Sequence, residues 1–319
     1  MGSTKFVLGT MNFGPQVFAE DSETMVRHFL ESGHEEIDAA YVYNKGETER
    51  ILGDVLEHPD TAVASVATKV NPRITGKLDE ASIADQLEES LRRLRKESVD
   101  LLYLHFPDPS TALEETLEAC SKLHDRGLFR ELGLSNYPAW QVVDAWHICR
   151  ARGWPEPKVY QGLYNGLSRQ VEDELFPSLR HCGMRFYAYN PLAGGILAGK
   201  YTNFSADPEP GRFTVRPNYR DRYWKESFFA AMHALNEACQ AEGITLVEAA
   251  FRWLAFHSSL DADKGDGIVI GTSSLDQLDQ NLGAVQAGAL PESIVLAFED
   301  AWVVAKPDSP AYFRVPDTK

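Results

Sequence analysis

Short apolar, β-favouring runs alternate along the chain with stretches in which apolar positions recur every three or four residues. The runs fall at 6–11, 36–40, 62–70, 99–106, 130–136, 158–165, 184–190 and 267–272, eight in all. Several are continuous rather than alternating, as strands buried on both faces require. Between them the helical period is plain. Ile83, Leu87, Leu91 and Leu94 form one stripe on a segment whose other positions are charged. Ser22 is placed to cap the first helix and Gly33 to end it. Leu275, Leu278, Leu282 and Val285 mark the last helix of the repeating pattern. Residues 201–225 lack a period and read as a long loop after the seventh strand. The tail after Lys306, with Pro307, Pro310 and Pro316, reads as extended.

Eight β-α units without a break in composition predict one domain over residues 1–319, a (β/α)8 TIM barrel of α/β class. The alternative is an open doubly wound sheet. That fold would place G-x-G-x-x-G after its first strand, where this chain reads Leu8-Gly-Thr-Met-Asn-Phe-Gly14. The formal charge of −16 weighs against nucleic acid and anionic membranes as partners. An anionic ligand therefore needs a local cationic pocket. Cys120, Cys149, Cys182 and Cys239 are widely spaced and form no CxxC pair, which suits a reduced, cytoplasmic setting. No signal peptide is read at the start, and no apolar run approaches the ~18 residues that span a bilayer.

In such a barrel, chemistry gathers at the C-terminal ends of the strands. Those ends carry Asp38 followed by Tyr43, then Lys69, His105, and Ser135-Asn136. Singly, each has an ordinary structural explanation as a turn former, a packing ring or a solvated cation. Together they converge on one mouth. A phenol titrates near pH 10 and is a weak acid at neutrality. Lys69 beside Tyr43 would favour the phenolate and lower that value, with Asp38 holding the ammonium in place. His105 could orient a carbonyl oxygen. A phenol acid aimed at a carbonyl, with no nucleophile and no metal ligands, points to hydride reduction by a nicotinamide. Three other motifs carry less. Tyr41-x-x-x-Lys45 imitates the Tyr/Lys pair of short-chain dehydrogenases without their glycine-rich fingerprint. Gly194 with Gly199-Lys200 has the spacing of a phosphate-gripping loop, but Tyr201 stands where a magnesium-binding hydroxyl belongs. The nine histidines never reach metal-ligand spacing.

The blocks His34-Glu-Glu-Ile-Asp38, Tyr103-Leu-His105, Glu131-Leu-Gly-Leu-Ser135-Asn136-Tyr137, Val159-Tyr-Gln161-Gly162, Asn190-Pro-Leu-Ala-Gly-Gly195 and Arg220-Asp-Arg222-Tyr-Trp-Lys225 resemble the aldo-keto reductases over essentially the whole chain. The resemblance is strongest to the aflatoxin aldehyde reductase branch, whose mammalian members also reduce succinic semialdehyde. It implies that Tyr43 is the proton donor, that Lys69 and Asp38 tune it, and that His105 orients the substrate. It further implies an NADPH site. Ser135, Asn136 and Gln161 would hold the carboxamide, and Tyr189 would stack on the ring. Asn190, Leu192, Gly194, Gly195 and Lys200 would strap the pyrophosphate. Arg212 would join them, and Ser273, Ser274, Gln277, Gln280 and Asn281 would take the adenosine end on the free N–H groups opening a helix. Many relatives read the 2′-phosphate with a Lys-Ser pair and an Arg, where this chain has Gly271-Thr272 and Gln277. Tyr219, Arg222 and Arg314 match substrate-pocket positions, and paired arginines suit a carboxylate-bearing aldehyde. The resemblance also implies a homodimer. It leaves open a reductase dedicated to one natural product, or a cofactor-sensing subunit like those of potassium channels.

Overall fold

The computed structural model describes residues 5–208 and 211–314. Eight parallel strands close into a barrel in chain order, β1 (Lys5–Gly9), β2 (Glu36–Asp38), β3 (Ser65–Val70), β4 (Val99–Leu104), β5 (Phe129–Ser135), β6 (Pro157–Leu163), β7 (Arg185–Tyr189) and β8 (Gly267–Gly271). The helices are α1 (Ala19–Glu31), α2 (Glu47–Val55), α3 (Glu80–Leu94), α4 (Leu113–Asp125), α5 (Ala139–Arg152) and α6 (Leu175–Cys182). After β7 come α7 (Arg212–Val215), α8 (Pro217–Tyr223), α9 (Glu226–Ala241) and α10 (Leu246–Phe256), then α11 (Leu275–Gly283) and α12 (Glu292–Ala305) follow β8. This is the expected (β/α)8 architecture.

Two apolar layers hold it. Inside the barrel, Val7, Ala67, Leu101, Tyr103, Val159, Tyr187 and Val269 pack across the axis. Outside, each helix lays its apolar stripe on the strands; in α3 that stripe is Ile83, Leu87, Leu91 and Leu94, all buried as the period predicts. Asp79 caps α3 by accepting from the Ser82 N–H at 3.0 Å.

Several boundaries differ from the sequence pattern, each for a local reason. β5 and β7 end one residue early because Asn136 and Asn190 turn left-handed, with φ of 63° and 58°. Residues 62–64 form a turn rather than the start of β3, with the Ala62 and Ala64 N–H groups donating to His58 and Thr61 carbonyls. Ser22 is not a cap. It lies inside α1, buried, with its hydroxyl donating to the Val17 carbonyl at 3.3 Å, and the cap position is Phe18. Gly33 does follow the helix end, at φ 84°. The segment 201–225 is partly helical, since Pro217 at the first position nucleates α8. Residues Lys306–Asp308 form a short 3₁₀ turn where an extended tail was expected, and Pro316 lies outside the described residues. Among the described residues no helix is long and apolar enough to cross a membrane.

Candidate active site

The barrel mouth opens into a cleft of about 480 Å³. Its floor is an ion pair built on adjacent strands. The Lys69 ammonium donates to both Asp38 carboxylate oxygens and to the Ala39 carbonyl, each at 2.6 Å, and the side chain is wholly buried. Three acceptors match the three N–H bonds of an ammonium. Burial pulls Lys69 below its ordinary value and Asp38 opposes that pull. Gln161 on β6 donates to the same carboxylate at 2.8 Å.

Tyr43 enters from the loop after β2. The three residues that follow it, Asn44, Lys45 and Gly46, are all left-handed, at φ 49°, 58° and 88°. Such backbone costs on the order of 1–3 kcal/mol per non-glycine residue and persists only where other contacts impose it. Here Asn44 imposes it: its side-chain NH₂ donates to the Met11 and Phe13 carbonyls and to the Thr48 hydroxyl, at 2.8, 3.0 and 2.9 Å. Tyr41 points elsewhere, under the Arg93 guanidinium at 4.3 Å, and Lys45 is exposed. The dehydrogenase-like Tyr41/Lys45 pair is thereby a packing ring and a solvated lysine.

Tyr43 meets the His105 ring edge-on, with centroids 6.1 Å apart, and Lys69 lies 5.1 Å from the Tyr43 centroid. The expected lowering of the phenol by Lys69 is not what the structure shows. Burial pushes the Tyr43 hydroxyl well above its ordinary value, and the Asp38 carboxylate adds to the rise. The physical reason is that desolvation of the phenolate outweighs the Lys69 charge, which is shared with Asp38. Tyr43 is thus held firmly protonated.

Burial also draws His105 well below the ordinary histidine value, with Lys69 and then Arg73 pushing the same way, so the imidazole is neutral. Its Nδ1 faces the Asn71 NH₂ at 3.3 Å, and the Asn71 oxygen accepts from the Arg73 N–H at 2.9 Å, which fixes the amide's orientation. Nδ1 therefore accepts, and Nε2 carries the proton as a donor. Phe106 stacks on His105 at 4.8 Å, and Arg73 covers Phe106 at 4.4 Å.

The remaining wall gathers most of the expected cofactor residues. Ser135, Asn136, Gln161, Tyr189, Asn190, Leu192, Gly194, Gly195, Lys200, Ser273, Gln277 and Asn281 all line the cleft. Tyr189 donates its hydroxyl to Asn136 at 2.9 Å, and the Asn190 amide joins Tyr219 and Tyr223. The strap fits close approach of a ligand: at Gly195, φ 113°, an added Cβ would meet nothing nearer than 3.8 Å. Ser274 and Gln280 lie off the cleft wall, and Ser274 instead caps α11 on the Gln277 N–H at 3.3 Å. Part of the helix opening is already engaged, because Ser273 gives its N–H and hydroxyl to the Gln277 oxygen at 3.0 and 3.1 Å. The Arg212 side chain lies outside the described residues.

Of the substrate residues, Tyr219 and Arg222 line the cleft, and Arg222 stacks over the Tyr219 ring at 5.3 Å. The Arg222 Nε is buried without a hydrogen-bond partner. Arg314 sits just behind the wall, its N–H bonded to the Asn136 carbonyl at 2.9 Å. Burial and the Arg222 charge pull its guanidinium below the ordinary value. The sequence reading passed over Asn71, Arg73, Phe106 and Arg216, all on the wall. The Asn71-Pro-Arg73 run directly after β3 was the available signal for two of them; nothing local marks Arg216.

Residues 5–302 match the model of the aldo/keto reductase family. The chain is 47% identical to human aflatoxin B1 aldehyde reductase member 2, over 97% of its own length and 89% of the relative's. It is also 47% identical to human aldo-keto reductase family 7 member A3, covering 97% and 96%. Oxidoreductase sirO of Leptosphaeria maculans is more distant, at 35% identity over 96% of each chain.

Proposed function

The chain belongs to the aldo/keto reductase family and reduces carbonyl compounds, and from that premise we propose that NADPH is the reductant, Tyr43 the acid and an anionic aldehyde the substrate. One observation carries the reading: a protonated phenol and a neutral Nε2–H imidazole stand side by side in one cleft, over a lysine fixed by three acceptors. Both donors suit a carbonyl oxygen that gains negative charge. His105 orients and polarises that oxygen. Tyr43 delivers the proton and would regain one from solvent. Asp38 and Lys69 keep the floor neutral overall.

A bound nicotinamide supplies the hydride. Ser135, Asn136 and Gln161 would hold its carboxamide, Tyr189 would cover its ring, and the 190–200 strap with Lys200 would take the pyrophosphate. The near-phosphate-loop spacing then needs no magnesium ligand, and Tyr201 is a packing residue against Phe213 and Trp224. A 2′-phosphate at Ser273 would displace the Gln277 oxygen, so preference over NADH is modest. Arg222 and Arg314 would clamp a substrate carboxylate, which supports aldehyde acids over neutral aldehydes. A cytoplasmic homodimer belongs to the same reading; the four buried, unpaired cysteines support the compartment, and the family resemblance supports the dimer.

The test is consumption of NADPH, and separately of NADH, with succinic semialdehyde and 4-nitrobenzaldehyde. Faster turnover of the anionic aldehyde with NADPH is expected. Preference for NADH or for the neutral aldehyde would overturn those parts of the proposal.

A further inference from the structure

Asp38 is the only carboxylate on the cleft wall among the described residues, and Lys69 and Gln161 already hold it. Cations outnumber it, on a chain whose formal charge is −16. Lys200 belongs to the strap, Arg222 and Arg314 to the clamp, and Arg216 is engaged by the Asn44 oxygen at 3.1 Å. Arg73 has no such assignment. It follows β3 directly, lines the cleft, and makes no ion pair and no side-chain hydrogen bond among the described residues. What it does touch is the unit that orients the carbonyl. Its guanidinium lies over the Phe106 ring at 4.4 Å, and Phe106 stacks on His105 at 4.8 Å. Its backbone N–H donates to the Asn71 oxygen at 2.9 Å, and the NH₂ of the same amide faces the His105 Nδ1 at 3.3 Å. Arg73 is thus tied to His105 by a ring on one side and an amide on the other. A guanidinium stacked by its face keeps its in-plane N–H groups for an acceptor.

Barrel order places the other arginines. In a closed ring of eight strands, β3 and β7 stand half a turn apart. Arg222 follows β7, stacked over Tyr219, whose hydroxyl donates to Asn190 just past the end of that strand at 3.2 Å. Arg314 is bonded to the Asn136 carbonyl just past β5, between the two. The three arginines therefore form an arc round the mouth, and Arg314 feels both of the others as like charges. A single carboxylate held by Arg222 and Arg314 leaves Arg73 unanswered on the far side. We propose that Arg73 is a specificity-determining residue, forming across the mouth from the Arg222–Arg314 clamp a second anion subsite for carbonyl compounds that bear two acidic groups. The proposal deepens the anionic-aldehyde reading and rests on that clamp. His105 and Tyr43 enter from β4 and from the loop after β2, the strands on either side of β3. The acidic group at Arg73 is consequently the one nearer the carbonyl, with the Phe106 ring as spacer. A carboxylate matches the guanidinium fork best. Arg73 is exposed, so solvent screening limits the gain from the second group to on the order of fivefold in kcat/KM.

The test measures NADPH-dependent kcat/KM on one aromatic frame of rising charge: methyl 3-formylbenzoate, 3-carboxybenzaldehyde and 5-formylisophthalate. In the wild type the dianion should exceed the monoanion by that factor. Arg73→Gln should abolish this step while the step from neutral to monoanion survives, and Arg73→Lys should keep part of it. Two results would overturn the proposal. One is a wild type that gains nothing from the second carboxylate. The other is an Arg73→Gln variant that slows all three substrates by the same factor, which would make Arg73 only a prop for the Phe106–His105 stack. A wild type that treats the neutral and monoanionic aldehydes alike would instead remove the clamp beneath the proposal, which separates the two failures.

Discussion

Asp38 divides its carboxylate between Lys69 and Gln161, so one side chain braces both the floor of the cleft and the wall read as the carboxamide site. Removing one partner of a buried ion pair leaves the other charge stranded, which costs about 3–5 kcal/mol. Asp38→Asn or Lys69→Met should each lower stability by that order in urea denaturation, and the double variant by less than their sum; strict additivity would argue against the pair. Tyr43→Phe removes a hydroxyl without changing packing. It should leave NADPH affinity near wild type while cutting kcat by about 10²–10⁴, and near-normal turnover would refute the proton-donor role. Arg222→Ala and Arg314→Ala should raise KM for carboxylate-bearing aldehydes and leave neutral ones nearly unchanged. Equal effects on both would refute the clamp. Asp38, Tyr43 and Lys69 were legible in the sequence because strand ends in a barrel converge whatever the loops do, whereas Arg222 and Arg314 were legible only through the family resemblance. Arg216 was not, since its meeting with Asn44 joins positions 172 apart through loops that have no period. Nor was the direction of the Tyr43 shift, which depends on how deeply the fold buries the phenol.

At the scale of elements, α2 and α3 cross so closely that Gly53 touches the backbone of the last turn of α3. A Cβ there would lie 2.2 Å from the Arg93 carbonyl oxygen. In an ordinary helix Gly→Ala stabilises by about 0.5–1 kcal/mol. Gly53→Ala should reverse that sign and lower Tm, because backbone cannot step aside as a side chain can. A raised Tm would show that the crossing yields. The strand centres and the α3 stripe were readable because continuous apolar runs and a 3.6-residue period are intrinsic to the chain. Strand ends were not, since Asn136 and Asn190 leave the sheet through left-handed turns that side-chain bonds hold in place. Ser22 misled because a serine on a buried face can bond back to a carbonyl as readily as it can cap.

Over the whole molecule, burial lowers three histidines, His34, His105 and His257, below their ordinary value. An unfolded chain binds protons at these positions near pH 6.5, whereas the folded chain does not until lower pH. Their contribution to stability is therefore complete above that pH and is lost as pH falls below it. Carboxylates such as Glu89, held at about 2 by Arg92, add a second loss at lower pH. The urea midpoint should drop between pH 7 and 5.5, and less steeply in His105→Gln; a flat midpoint would contradict this. The Lys69 triad of acceptors has one more consequence. Aldehydes condense with amines that have a lone pair to offer, and this protein holds its aldehydes beside a lysine. With all three N–H bonds engaged at 2.6 Å, that nitrogen has no free electron pair, and burial keeps the four thiols protonated and out of reach. The lysine on the cleft floor can therefore stand beside electrophiles without being alkylated by them.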